Sequence, residues 1–290
     1  MEPMRVLVRR GGVVEAVHRV HAVAVRDGQV VEAAGDPALV TFMRSAAKPL
    51  QALPLARARD DLDDRDLAIA SASHVGDEAQ VAAVRALLAK APAGEDELEC
   101  GAVGGLRVRH NCSGKHAGML ALCRARGWPR AGYRLAGHPV QQGCLAEVSA
   151  AAEVPAGEVG TAVDGCGVVA FALPLERMAH AFSRFELLDA GARVAAAMRA
   201  HLDLVGGGEF PDTMLLRRGW LAKGGAEGVL CAAAPDGLGL ALKTADGAAR
   251  ALRPALGALL ARLGLQNEDF GPVPLLNSRG EECGEIVSDS

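Results

Sequence analysis

Strand patterning occupies both ends of this chain and helical patterning fills its middle, an order that few folds satisfy. Val6 and Val8 alternate with Leu7 and Arg9, and the alternation resumes between Val13 and Val25. Asp27-Gly28 then precedes Val30-Val31, which reads as a hairpin turn. Toward the other end, the apolar runs 229–234 and 238–242 flank Pro235-Asp236-Gly237, giving strand, turn, strand. Between these ends, Val81, Val84, Leu87 and Leu88 fall on one helical face, capped by Gly76 or Asp77. Further helices are predicted to open in the segment 41–50, and to run from Ser113 as N-cap to Gly127, from Pro139, over 175–182 and over 189–202. A last one is expected to be capped by Asp246, with Leu252, Leu256, Leu259 and Leu263 on its core face. An antiparallel sheet made by the two chain ends, packed with helices, buries all of these faces. The expected class is α+β: one domain over residues 1–290, with the sheet from about 1–40 and 220–290 and the helical part over about 41–219.

Composition narrows the partners. The net charge is −4 and aromatic residues make up 3%, so there is no global basic field and there are few stacking platforms for nucleic acid. No apolar run approaches the ~18 residues of a membrane span, and the amino end carries no export signal. Seven cysteines without a disulfide rhythm point to a reducing compartment, so a cytoplasmic location is expected. Gly206-Gly207-Gly208 lacks the Lys-Ser/Thr ending of a phosphate-binding loop.

Chemistry concentrates in a few short stretches. Ser45 and Lys48 stand three apart beside Pro49, which belongs in the first turn of a helix, so the lysine amine can reach the serine hydroxyl. A neutral lysine can activate a serine nucleophile. Ser73 (or Ser71) with Lys243 forms a second serine–lysine pair across the predicted cleft. Between them, Arg109 to Gly118 packs His110, Cys112, Lys115 and His116 into a helix entry. A cation is locally unfavourable there, because free N–H groups make a helix start positive. Cys166, between glycines, is a second presented thiol. Cys112 and Cys166 are soft donors for zinc, and Lys115, His110, His116 or water could complete a tetrahedron.

Helix opener, serine turn and Lys-Thr strand occur in the order of the Ser-x-x-Lys, Ser-x-Asn and Lys-Thr-Gly elements of serine β-lactamases. More specifically, Arg44-Ser45-Ala46-Ala47-Lys48-Pro49, Ala72-Ser73-His74, His110 to Gly118, His138-Pro139-Val140-Gln141, Asp164-Gly165-Cys166-Gly167 and 241–247 together resemble the rhizobial-type L-asparaginases. The resemblance implies a serine-β-lactamase/glutaminase-like fold, a homodimer, and hydrolysis of L-asparagine to aspartate and ammonia. It implies Ser45 as nucleophile with Lys48 as its base, and Ser73 with Lys243 as the second pair. It further implies Cys112, Lys115 and Cys166 as zinc ligands, with Arg44, His116 and Asp164 holding the substrate. A glutaminase or another small-amide hydrolase on the same scaffold, and a zinc or thiol protein without turnover, are the competing readings.

Overall fold

The computed structural model describes residues 1–206, 208–265 and 268–289; Gly207 of the triple-glycine loop lies outside them. The chain opens with three strands, β1 (Met4–Arg10), β2 (Val13–Arg26) and β3 (Gln29–Ala34). Then come β4 (Val40–Phe42), α1 (Lys48–Ala58), α2 (Asp64–Ala70), α3 (Glu78–Lys90), α4 (Ser113–Arg126) and α5 (Pro139–Ala152). Strands β5 (Gly160–Val163) and β6 (Val169–Pro174) precede α6 (Leu175–Ser183), α7 (Gly191–Ala200), α8 (Leu202–Val205) and α9 (Pro211–Arg217). The chain finishes with β7 (Leu221–Gly225), β8 (Val229–Ala233), β9 (Gly239–Thr244), α10 (Leu252–Arg262), β10 (Val273–Leu276) and β11 (Glu282–Ser288).

Strands from both chain ends form one antiparallel sheet in the order β10-β11-β1-β2-β9-β8-β7, with β3 also paired to β2. β2 is long enough for β1 to take its first part and β3 its second, while β9 lies along its other edge. Val6 pairs with Ser288 and Val8 with Ile286, so the last strand seals the first. Both α6 and α10 pack on this sheet. Val6, Val20, Val23, Leu240 and Leu242 are buried between sheet and helices. The mixed class and the sheet built from the chain ends agree with the sequence reading.

Three local expectations are corrected. Thr41 and Phe42 do not open a helix: they belong to β4, which pairs with β6 in a small separate sheet β4-β6-β5. β-Branched and aromatic residues with a partner strand beside them favour that outcome. Ser113 is not the N-cap of α4; Cys112 takes that place, and the Ser113 hydroxyl turns inward to donate to the Val108 carbonyl at 2.7 Å. Asp246 does not cap α10. Its carboxylate accepts from Ala248 N–H at 3.0 Å, and the chain makes a 3-10 turn at Ala249–Ala251 before α10 starts. Gly76 precedes the real cap of α3, Asp77, which closes a capping box with Gln80. Gly127 ends α4 at φ +66°, a value that suits glycine. Among the described residues no helix is long and apolar enough to cross a membrane, and all seven cysteines are free thiols.

Candidate active site

The site forms where edge strand β7 meets the start of α1, the end of α2 and the start of α4. A 3-10 turn at Arg44–Ala47 runs directly into α1 and carries Ser45. Arg44 sits at φ +50°, a left-handed conformation that costs a non-glycine residue energy. Two contacts hold it there. Met43 N–H donates to the Phe171 carbonyl at 2.8 Å, and the Arg44 guanidinium pairs with Asp164 at 2.8 Å. β7 presses against the same turn at Gly225, where a Cβ would stand 2.7 Å from the Met43 carbonyl oxygen.

Lys48 opens α1 and is 1% exposed. Its amine donates to Ser73 Oγ at 2.9 Å, to the Asn111 carbonyl at 3.4 Å and to the Ala72 carbonyl. Burial pushes it down to about 8; Lys115 and Lys223 push the same way, against the opposing pull of Cys112. The sequence expectation that the Lys48 amine meets the Ser45 hydroxyl is therefore corrected: among the described residues no side-chain hydrogen bond joins them, and their link is the Lys48 backbone N–H donating to the Ser45 carbonyl. The amine points instead to the carbonyls that end α2 and precede α4, and the hydroxyl there is Ser73. Ser71 is fully buried and among the described residues its hydroxyl has no hydrogen-bond partner, so Ser73 is the serine that reaches the lysine.

The second expected pair is also not formed. Lys243 lies on β9, two strands in from the β7 edge, and its amine donates to the carbonyls of Glu227 at 2.7 Å and Thr244. The lysine at the cavity is Lys223 on β7, 2% exposed, which donates to Gly224 O at 2.9 Å and pairs with Asp212 at 3.3 Å. Sequence reasoning missed it. The available signal was Lys223-Gly224-Gly225: a lysine followed by residues without Cβ marks a place where two backbones come close.

Ser45, Ser73, His74, Asn111, Asp212 and Lys223 line one cavity of about 400 Å³. A larger groove of about 520 Å³ beside α10 is lined mostly by Ala, Gly, Pro and Phe and gathers none of the predicted chemistry.

The thiols do converge. Gly114 lets α4 start against the end of α2, since a Cβ there would sit 2.1 Å from the Ile69 carbonyl oxygen. Lys115 Nζ lies 3.2 Å from Cys166 Sγ. The hydrogen bond from Cys166 holds the Cys112 thiol far below its ordinary value; the same bond, with burial, pushes Cys166 up. Burial alone would lower Lys115, but the Cys112 and Cys166 sulfurs and the Asp164 carboxylate outweigh it and raise it. Among the described residues no three His, Cys, Asp or Glu side chains gather as a metal site, so a metal here would need the lysine nitrogen as third donor. Two buried sulfurs and one nitrogen in contact fit a soft or borderline cation such as zinc.

The expected substrate-holding residues are spread around this centre. Arg44 and Asp164 are paired to each other, and that ion pair ties the serine-bearing turn to the Cys166 loop. His116 is fully buried, with Nδ1 on the Tyr133 hydroxyl at 2.6 Å and Nε2 without a partner among the described residues. Burial, then the Lys115 charge, pulls it well below the usual histidine range.

Chemically, Ser45 and Ser73 bring two hydroxyls to the cavity, the buried Lys48 amine touches one of them, and the Lys223 side of β7 lines the same space. These are the parts of an acyl-transfer site. The family model described as L-asparaginase II matches residues 6–288. No curated protein matches the chain.

Proposed function

The chain belongs to the L-asparaginase II family, amidohydrolases that act on L-asparagine, and from that premise we propose that it hydrolyses the L-asparagine side-chain amide by serine–lysine catalysis in the 400 Å³ cavity. The observation that carries the mechanism is the 2.9 Å contact between Lys48 Nζ and Ser73 Oγ. In its neutral form Lys48 takes the hydroxyl proton as Ser73 Oγ bonds to the carboxamide carbon. The C–N bond then breaks, and the nitrogen leaves as ammonia with the proton returned by the lysine. Water adds to the acyl ester, releasing L-aspartate and restoring the hydroxyl.

A second assignment, Ser45 as nucleophile, is favoured by its strained position. The left-handed Arg44 just before it and the Arg44–Asp164 pair aim it from a rigid turn into the same cavity. Ammonia release from L-asparagine by Ser73→Ala, Ser45→Ala and Lys48→Met separates the two. Ser73→Ala and Lys48→Met are expected to lose about a thousandfold or more, with Ser45→Ala retaining measurable turnover. Full activity of Ser73→Ala alongside an inactive Ser45→Ala would transfer the role, and a wild type that releases no ammonia would end the proposal.

Cys112, Cys166 and Lys115 would hold a zinc ion, which when bound supplies Lewis-acid polarisation to a substrate oxygen. Metal analysis after zinc loading and desalting is expected to find about one zinc per chain, lost in Cys112→Ser and Cys166→Ser. The same reading includes a serine-β-lactamase-like fold, supported by the sheet closed by both chain ends, together with a homodimer and a cytoplasmic location.

A further inference from the structure

We propose that His74 reads the scissile amide itself, its Nδ1 accepting a hydrogen bond from the carboxamide nitrogen of the substrate held against Ser73. The inference rests on the asparaginase reading and adds to it a residue that selects amide over acid.

Proton accounting fixes the ring. The Ser113 hydroxyl has one hydrogen, and at 2.7 Å from the Val108 carbonyl oxygen that hydrogen must lie between the two oxygens. His74 Nε2, 2.9 Å from the same Ser113 Oγ, therefore carries the proton and donates it. In a neutral imidazole this leaves Nδ1 with a bare lone pair. Burial and then the Lys48 charge keep the ring neutral, drawing it down to about 4. Nδ1 is buried and has no hydrogen-bond partner among the described residues. Yet His74, 1% exposed, follows Ser73 directly and lines the same cavity. Its backbone N–H is tied to the Asn111 carbonyl at 3.3 Å, so ring and main chain are both held.

The nearby amines do not supply the missing donor. Lys48 is committed to Ser73 and two carbonyls, and Lys223 to Asp212 and Gly224. A buried acceptor left alone is costly, and an N–H donor brought into the cavity beside Ser73 would satisfy it. A primary carboxamide brings N–H donors. They become stronger donors as the nitrogen takes its proton on the way to ammonia, so the contact tightens toward the transition state. The product carboxylate has only lone pairs to offer, and meets the imidazole lone pair with repulsion.

His74→Gln tests this, because the glutamine amide can still donate to Ser113 but places no acceptor where Nδ1 stood. Two substrates are compared: L-asparagine, and the β-methyl ester of L-aspartate, which keeps the carbonyl and has no N–H on its leaving group. In His74→Gln, kcat/KM for asparagine should fall about tenfold or more, while ester turnover stays within about threefold of wild type. Inhibition by L-aspartate should strengthen. His74→Asn, whose side-chain oxygen lies near the Nδ1 position, should restore the preference for amide over ester. Equal losses on amide and ester, an undiminished amide rate in His74→Gln, or no recovery in His74→Asn would overturn the assignment. A wild type that cleaves the ester but releases no ammonia from asparagine would overturn the asparaginase reading as well, an outcome distinct from any of these.

Discussion

Arg44 carries two loads at once, a left-handed backbone and an ion pair with Asp164, and substitutions can separate them. Arg44→Ala loses the pair and keeps the strain, whereas Arg44→Gly loses the pair and relieves it. The glycine variant is expected to be more stable than the alanine variant by about 1 kcal/mol in chemical denaturation. Both should lose activity, because the turn bearing Ser45 is no longer tied to the Cys166 loop. If alanine and glycine prove equally stable, strain at this residue is not what the backbone angle implies. At this scale the residue types were legible in the sequence, but their pairing was not. Ser45-x-x-Lys48 has the spacing of a contacting pair on a regular helix. The 3-10 turn across Arg44–Ala47 and the carbonyls of Ala72 and Asn111 draw the amine to Ser73 instead. Sequence reasoning settles on Lys243 because it stands in a Lys-Thr strand and does not consider Lys223; only the strand order shows that β9 is interior while β7 is the edge.

The elements meet at glycines whose missing side chains set how close the backbones come. Gly225 and its neighbour Gly224 give a graded test. A methyl at Gly225 would meet the backbone oxygen of Met43 at 2.7 Å, which cannot yield without moving the serine turn. At Gly224 it would meet the Asp212 carboxylate at 3.1 Å, a side chain that can shift. Gly225→Ala is thus expected to lower both melting temperature and ammonia release, by about 1–3 kcal/mol in stability, and Gly224→Ala to do less of each. Comparable damage from both would show that the strand edge has slack. Amphipathic helices such as α3 and capping signals such as Asp77 and Pro139 were readable because they are local. The strand character of β4 was not, since it depends on β6, far along the chain.

Across the whole molecule, the sheet depends on both chain ends while the cavity lies on the opposite edge of it, at β7. Removing residues 272–290 takes away β10 and β11 and exposes the side of β1, whose Val6 and Val8 are buried beside Ile286. None of the residues lining the cavity is lost. The truncated chain is nonetheless expected to lose cooperative thermal unfolding and to aggregate, because an open strand edge invites pairing with other chains. Calorimetry and light scattering check this, and a truncated chain that melts sharply as a monodisperse species would contradict it. This architecture was the most legible feature of all, because alternation at both termini admits few other arrangements. The backbone-to-backbone contact at Gly114 has a practical consequence for anyone wishing to retune this protein. With no methyl's width between the two main chains, the thiol centre and the serine–lysine centre share a single mounting. Redesign of either must be done with side chains alone, because there is no give in the scaffold to absorb it.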